Sequence, residues 1–319
     1  MKFRIILTSL LILACCVAVK ADEQAMPDGS WAQIRVSVAC FRDKPAHSAQ
    51  LVTQGVMGTP LKLMRRDGQW YYAEMPDGYE GWIVDNSLAL KTDKEMSDWR
   101  TSDRVIVSVP EQTYIYDSHN ADGVRHRVSD AVDGMILSVK PQVASGRVKI
   151  DLPDGRAGWI DNTSIQPLDR WASQDFDPEL ILDKAYALMG TPYLWGGTSQ
   201  KAMDCSGLSK ICYYSNGLIL MRDASQQART GQHLAPEDWK DYCSGDLLFF
   251  GNPDTGRVTH VAIYDRDGYY VHSSGRVKRN SLDPESPDYL PTPFLHAVRI
   301  HGSEGSDGIT KASVHPWYF

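Results

Sequence analysis

The segment Met75-Pro-Asp-Gly-Tyr-Glu-Gly-Trp-Ile83 recurs as Leu152-Pro-Asp-Gly-Arg-Ala-Gly-Trp-Ile160, at an offset of about 77 residues. Proline, aspartate and glycine make a turn, and Gly-Trp-Ile continues it as a strand. Each copy closes a run of short strand patterns. Ahead of the first lie Ala32 to Ala39, alternating at Ile34, Val36 and Val38, then Leu61 to Met64 and Gln69 to Glu74. An Asp-Asn pair and a short apolar stretch follow each copy. Short strands at close spacing form small sandwiches or barrels, and two copies make a duplicated unit rather than an array. The expected units are residues 30–90 and 104–167, the second with a longer insertion from Tyr116 to Asp130. Lys91 to Asp103 is polar and charged and reads as the linker between them.

After residue 172 the pattern changes. Pro178 to Met189 is amphipathic with proline in its first turn, which predicts a helix. Gly190 is placed to close it. Pro192 prevents simple continuation, and Gly196-Gly197 allows close backbone approach. Ala202-Met-Asp-Cys-Ser-Gly-Leu208 opens a second helix, with Leu208, Ile211 and Cys212 on one face. Asp223 to Thr230 reads as a short helix. Asp246–Phe250, Thr259–Tyr264, Tyr269–Ser273 and His296–Ile300 read as strands. Helices followed by antiparallel strands give an α+β layout over residues 172–301. The tail, 302–319, begins Gly/Ser-rich, which predicts mobility over 302–311, and ends in an aromatic group, Trp317-Tyr-Phe319, able to dock.

The chain carries a formal net charge of -7 with no basic block, which argues against nucleic-acid binding. Residues 1–21 have the layout of a secretory signal: Lys2 and Arg4, an apolar run from Ile5 to Val19, and Val19-Lys20-Ala21 as cleavage site. The run is short for a membrane span, which needs about 20 residues. Cys15 and Cys16 keep a lipid anchor as the alternative. Export permits disulfides, but Cys40, Cys205, Cys212 and Cys243 are too dispersed for a disulfide framework. Neither CxxC nor HExxH occurs, so the sequence implies no metal and no cofactor.

Cys205 is the candidate nucleophile. At a helix N-terminus, free N–H groups and the macrodipole favour a thiolate. The competing reading is a small buried hydrophobe, but that role calls for neither the preceding Asp204 nor the double-glycine loop. A nucleophilic thiol needs a base, and the base an orienting group. His260 and His272 stand on consecutive strands with the turn Asp265–Gly268 between them. In such a hairpin both lie on one face as neighbours; otherwise each is a half-buried strand histidine with its hydrogen bonds satisfied. His47, His119 and His233 fall in polar, loop-like stretches. Cys212 and Cys243 read as core.

Pro192-Tyr-Leu-Trp-Gly-Gly197, Asp204-Cys-Ser-Gly207, Arg222-Asp-Ala-Ser-Gln-Gln227, Gly245-Asp-Leu-Leu-Phe-Phe250, Thr259-His-Val-Ala-Ile-Tyr264 and Tyr270-Val-His-Ser-Ser274 follow one another within about 85 residues. This series resembles the NlpC-type cell-wall cysteine peptidases, and the repeated segment is similar to bacterial SH3-like domains. Together they look most like the γ-D-glutamyl-L-diamino-acid endopeptidases that cleave peptidoglycan peptides. The resemblance implies an α+β fold: a papain-like NlpC-type catalytic domain preceded by two small all-β SH3-like barrels. It implies a triad of Cys205 as nucleophile, His260 as base and His272 as the group that orients His260. Tyr193 would set its hydroxyl beside the thiol, with an oxyanion site at the backbone N–H of Cys205. Asp204, Ser206, Ala224 and Ser225 match positions that hold the free amine of the substrate's L-alanine. Carboxylate and hydroxyl acceptors suit an ammonium group. The first SH3-like domain would add Tyr79 and an acidic residue, but Gln50 stands where the acid is expected.

The expectation is therefore a periplasmic or secreted cysteine endopeptidase without a cofactor. Its implied substrate is L-Ala-γ-D-Glu-diaminopimelate, cut at the γ-D-glutamyl–diaminopimelate bond. The alternatives are a wall-remodelling hydrolase on intact peptidoglycan, an amidase or acyltransferase on the same core, and a non-catalytic wall-binding protein. The presence of Cys205, His260 and His272 together counts against the last.

Overall fold

The computed structural model describes residues 24–109 and 113–319. The expected signal, with Cys15, Cys16 and the Val19–Ala21 cleavage site, lies outside the described residues. The two copies of the repeat form two antiparallel sheets. The first runs Leu51–Val56, Val38–Arg42, Glu80–Val84, Trp70–Glu74, Pro60–Asp67, Trp31–Ile34, Leu88–Lys91. The second runs Arg127–Ala131, Thr113–Tyr116, Ala157–Asp161, Arg147–Asp151, Ile136–Ala144, Arg104–Val107, Ile165–Pro167. Strand for strand the order is the same, so the sequence repeat is a repeat of topology.

The glycine before each tryptophan has one cause in both copies. A Cβ on Gly81 would lie 3.2 Å from Phe41 Cβ and 3.3 Å from the Arg42 carbonyl oxygen. On Gly158 it would lie 2.3 Å from Ile115 Cγ2 and 3.0 Å from the Tyr116 oxygen. Only glycine lets these strands approach so closely. The two ends of each strand path do not pair with each other among the described residues. The expected strand units are thus present as open ladders, and barrel closure is not found.

The segment between the sheets is not a plain linker. It contains the helix Asp93–Thr101, started by a capping box in which Thr92 Oγ1 accepts from the Glu95 N–H and Glu95 Oε2 accepts from the Thr92 N–H. Met96 is its single buried position and packs with Trp31 and Trp317. One apolar side chain in a charged segment leaves little periodicity to read.

In the third region Asp177 caps the helix Pro178–Ala187, and Gly190 follows at φ +84°. This helix and Cys205–Tyr214 pack on a six-stranded antiparallel sheet. Its order is Gln232–Leu234, Phe294–Arg299, Leu247–Asn252, Arg257–Tyr264, Tyr269–Ser274, Arg276–Ser281. Leu182, Leu208, Cys212, Phe249, Val261 and Val271 share the core between helices and sheet. Cys212 is buried as expected, but Cys243 is exposed. It sits in a polar turn, where its N–H donates to Asp246 Oδ2 at 2.8 Å. The tail also departs from expectation: Ile309–Lys311 pairs with Leu218–Leu220, and Ile309 is fully buried. Trp317 meets Trp31 edge to face at 5.4 Å, and Tyr318 packs with Trp171. Among the described residues no helix is long and apolar enough to cross a membrane.

Candidate active site

Cys205 is the first residue of its helix and only 8 % exposed. The double-glycine loop lies against this helix start so tightly that a Cβ on Gly207 would meet the Gly197 oxygen at 2.1 Å. Asp204 caps the helix through Oδ1, which accepts from the Gly207 N–H at 2.7 Å. The Cys205 sulfur accepts from the backbone N–H groups of Val261 and Ser206. Val261 follows His260, so the strand bearing the expected base abuts the helix start. Burial outweighs these donors. Burial first, then the Asp204 carboxylate, push the thiol up to about 11, against the two N–H groups and Arg222. The thiolate expected from the helix position is therefore not the resting form.

The strands of the two histidines pair at Ile263–Val271 and Tyr264–Tyr270, a register that puts His260 and His272 on one face. His260 Nε2 lies 2.7 Å from His272 Nδ1, and His272 Nε2 lies 3.0 Å from Asn280 Oδ1. Asn280 in turn donates through Nδ2 to the Asp288 carbonyl at 2.9 Å. That last bond turns the amide so that its oxygen, a pure acceptor, faces His272. His272 then carries its proton on Nε2 and accepts on Nδ1. His260 carries its proton on Nε2, which leaves a lone pair on its Nδ1. Burial, with His272 and Lys278 adding, lowers His260 to about 3. Burial lowers His272 to about 4, with Lys278 adding and the Asn280 bond opposing. Both rings are neutral near pH 7. Asn280 lies in Arg276–Ser281, a strand that was not read from the sequence, and nothing in its charged surroundings marks it.

A cleft of about 460 Å³ opens at Cys205. Tyr79, Tyr193, Asp204, Ser206, Ala224 and Ser225 all line it, and so does Gln50. Burial, then Cys205 and Asp204, push the Tyr193 hydroxyl up to about 12, so it remains a donor. Asp204 and Ser206 are in place but already engaged. Arg222, 2 % exposed, reaches Asp204 Oδ1 through Nη1 at 3.1 Å and Asp204 Oδ2 through Nη2. The same Nη1 donates to Ser206 Oγ at 2.9 Å, and Nε donates to Thr53 Oγ1 at 3.0 Å. The Gly196 N–H donates to Asp204 Oδ2 at 2.8 Å. Asp204 and Ser206 thus line the cleft, and their acceptors also hold a guanidinium and a helix start.

The second carboxylate in the cleft is Asp223, which has no ion-pair partner within 4 Å among the described residues. It is half-buried and hydrogen-bonded to the Tyr79 hydroxyl. Burial raises its pKa, against the opposing pull of Arg222. Burial and Asp223 push Tyr79 up to about 12. Asp223 lies inside the Arg-Asp-Ala-Ser block, next to Ala224-Ser225. What sets Asp223 apart from Asp204 is Arg222, which pairs with Asp204, and that pairing is not visible in the sequence.

One wall of this cleft falls within residues 190–299, which match the NlpC/P60 family. The other falls within residues 41–88, which match the bacterial dipeptidyl-peptidase Sh3 domain. Over these two stretches the chain is similar to NlpC/P60 family proteins and to a dipeptidyl-peptidase Sh3 domain. It is 28% identical over 254 residues to a gamma-D-glutamyl-L-lysine dipeptidyl-peptidase of Bacillus cereus, covering 76% of this chain and 73% of that one. It is also 28% identical over 259 residues to dipeptidyl-peptidase 6 of Lysinibacillus sphaericus, covering 77% and 89%. The crystal structure of an NlpC/P60 family protein from Bacillus cereus shares the fold, with a TM-score of 0.72 at 23% identity. That match covers 85% of this chain and 99% of the other.

Proposed function

We propose that this protein is an exported cysteine endopeptidase that cuts the γ-D-glutamyl–diamino acid bond of peptidoglycan-derived peptides bearing a free N-terminal L-alanine. One observation carries the reading. A thiol lines a cleft that also holds a carboxylate without an ion-pair partner, and the strand abutting that thiol carries a hydrogen-bonded pair of neutral histidines.

Cys205 Sγ attacks the γ-carbonyl of D-glutamate while its proton moves to His260 Nδ1. Thiolate and imidazolium are both disfavoured at rest, so transfer accompanies attack rather than preceding it. His272 Nδ1 accepts from the Nε2–H of the imidazolium and steadies it, held in that tautomer by Asn280. The Cys205 N–H at the helix start meets the oxyanion, with the Tyr193 hydroxyl as second donor. His260 then protonates the departing amine, and a thioester remains on Cys205. Water, deprotonated by His260, releases L-Ala-γ-D-Glu. The substrate's ammonium pairs with Asp223 beside Tyr79. Two supports favour this reading: the cleft spans two regions of the chain, and relatives named as dipeptidyl-peptidases align over most of its length.

In this reading residues 104–167 are a second, duplicated SH3-like domain that serves as scaffold. Where the first copy has Tyr79, the second has Arg156, which pairs with Asp154. The test is mass spectrometry of L-Ala-γ-D-Glu-diaminopimelate, its N-acetylated form and purified sacculi after equal exposure to enzyme. The free tripeptide should be cut between its second and third residues, and the acetylated one poorly. Faster release from sacculi would overturn the reading in favour of a wall-remodelling hydrolase.

A further inference from the structure

We infer that the C-terminal segment His315–Phe319 positions the turn that carries Tyr79 into the cleft, and so sets the preference for a free amine without touching substrate. The inference rests on the amine reading proposed above.

The turn closes on itself, with the Gly78 N–H donating to the Met75 oxygen at 2.9 Å and the Met75 N–H to the Tyr79 oxygen at 2.8 Å. The repeated turn at Leu152–Arg156 makes the same two bonds, at 3.0 and 2.8 Å. The copies therefore share a backbone and differ in what holds them. In the second, Asp154 pairs with Arg35 and Arg156. In the first, Asp77 accepts the Tyr79 N–H at 3.1 Å and pairs with Lys210, which lies on the helix of Cys205. These two side chains are 15 % and 3 % exposed for Lys210 and Asp77. Lys210 also donates to the Leu220 oxygen at 2.7 Å, just before Arg222 and Asp223. The turn is thus tied from inside to the loop that carries the carboxylate Tyr79 meets.

The tail ties it from the other side. His315 Nε2 donates to the Pro76 oxygen at 2.9 Å. The Trp317 N–H donates to His315 Nδ1 at 3.2 Å, which places the ring proton on Nε2. Trp317 is held by Trp31 at 5.4 Å and by Lys62 Nζ, 4.8 Å from its ring centre. The Tyr318 carbonyl accepts from Arg104 of the second sheet. The last five residues therefore bridge both sheets and hold the peptide adjoining Asp77. Losing that hold frees the Tyr79 loop while Cys205 and its histidines keep their own supports.

The experiment compares wild type, His315→Ala, His315→Gln and a chain ending at Val314, each on the free and the N-acetylated tripeptide. His315→Ala should raise KM for the free tripeptide about 3- to 10-fold, as one lost hydrogen bond does, and leave kcat within about twofold. The ratio of kcat/KM between the two substrates should fall by a similar factor. That ratio does not depend on how much of the enzyme is folded, so partial unfolding cannot mimic it. Glutamine can still donate to the Pro76 oxygen and should restore most of the ratio, and the truncation should lower it furthest. An unchanged ratio in both His315→Ala and the truncation, with wild type discriminating, overturns the inference alone. A wild type that does not discriminate overturns the amine reading itself.

Discussion

Replacing Asn280 by alanine should slow catalysis without weakening substrate binding. Asn280 does not line the cleft, and its amide oxygen is the acceptor for His272 Nε2, 3.0 Å away. His272 is 2 % exposed, so its N–H loses a partner in a nearly dry site. A buried donor left unpaired costs about 1–3 kcal/mol. The ring can escape that cost by moving its proton to Nδ1, but this nitrogen already faces His260 Nε2 at 2.7 Å. His260 must then shift its own proton to Nδ1 and present N–H to the thiol where a lone pair is needed. Either route lowers the population of competent enzyme by about 5- to 150-fold. The loss should appear in kcat, with KM for the free tripeptide little changed. Asn280→Asp separates the contributions. A carboxylate keeps the acceptor for His272 but loses the donor to the Asp288 carbonyl at 2.9 Å. Its charge raises the affinity of both rings for protons, so the acid limb of kcat/KM should move to higher pH. Steady-state tripeptide cleavage across pH tests both variants. An Asn280→Ala enzyme with wild-type kcat, or one changed only in KM, would refute the relay.

Cys205→Ala should fold and lose all hydrolysis; any residual cleavage of the tripeptide would require another nucleophile. Asp223→Asn should lower kcat/KM for the free tripeptide by about 30- to several thousand-fold, since removing one partner of a desolvated charge pair costs roughly 2–5 kcal/mol. The acetylated tripeptide should be nearly unaffected. Asp204→Asn should instead cost stability, about 3–5 kcal/mol by denaturant unfolding, because it strands buried Arg222. His260 and His272 are lowered by burial to about 3 and about 4, below their unfolded values near 6.5. The folded state therefore binds fewer protons than the unfolded one. Their contribution to stability is complete above about pH 6.5 and is lost as pH falls toward those values. Chemical unfolding of wild type and His260→Ala across acidic pH measures the difference.

Much of the architecture was legible because it is written in local rules. Turn residues and the Gly-Trp-Ile strand marked the repeat, and the glycine follows from a close approach that both copies make. Apolar spacing after Pro178, the helix start at Cys205 and the hairpin strands of His260 and His272 need only the nearest few residues to be read. What escaped depends on partners far away in sequence. The pairing of Asp204 with Arg222 is made only by the fold, and Asn280 gains its role only where three strands lie side by side. Cys205 carried the sequence mark of a thiolate, yet burial beneath the sheet reverses the sign of its shift. The polar part of the tail is ordered by Leu218–Leu220 and its aromatic end by Trp31, Lys62 and Arg104, none of them near it along the chain. Backbone conformation and the face a side chain occupies are short-range properties, set by sterics and periodicity. Charge state and pairing follow from which surfaces exclude water together, and only the folded chain decides that.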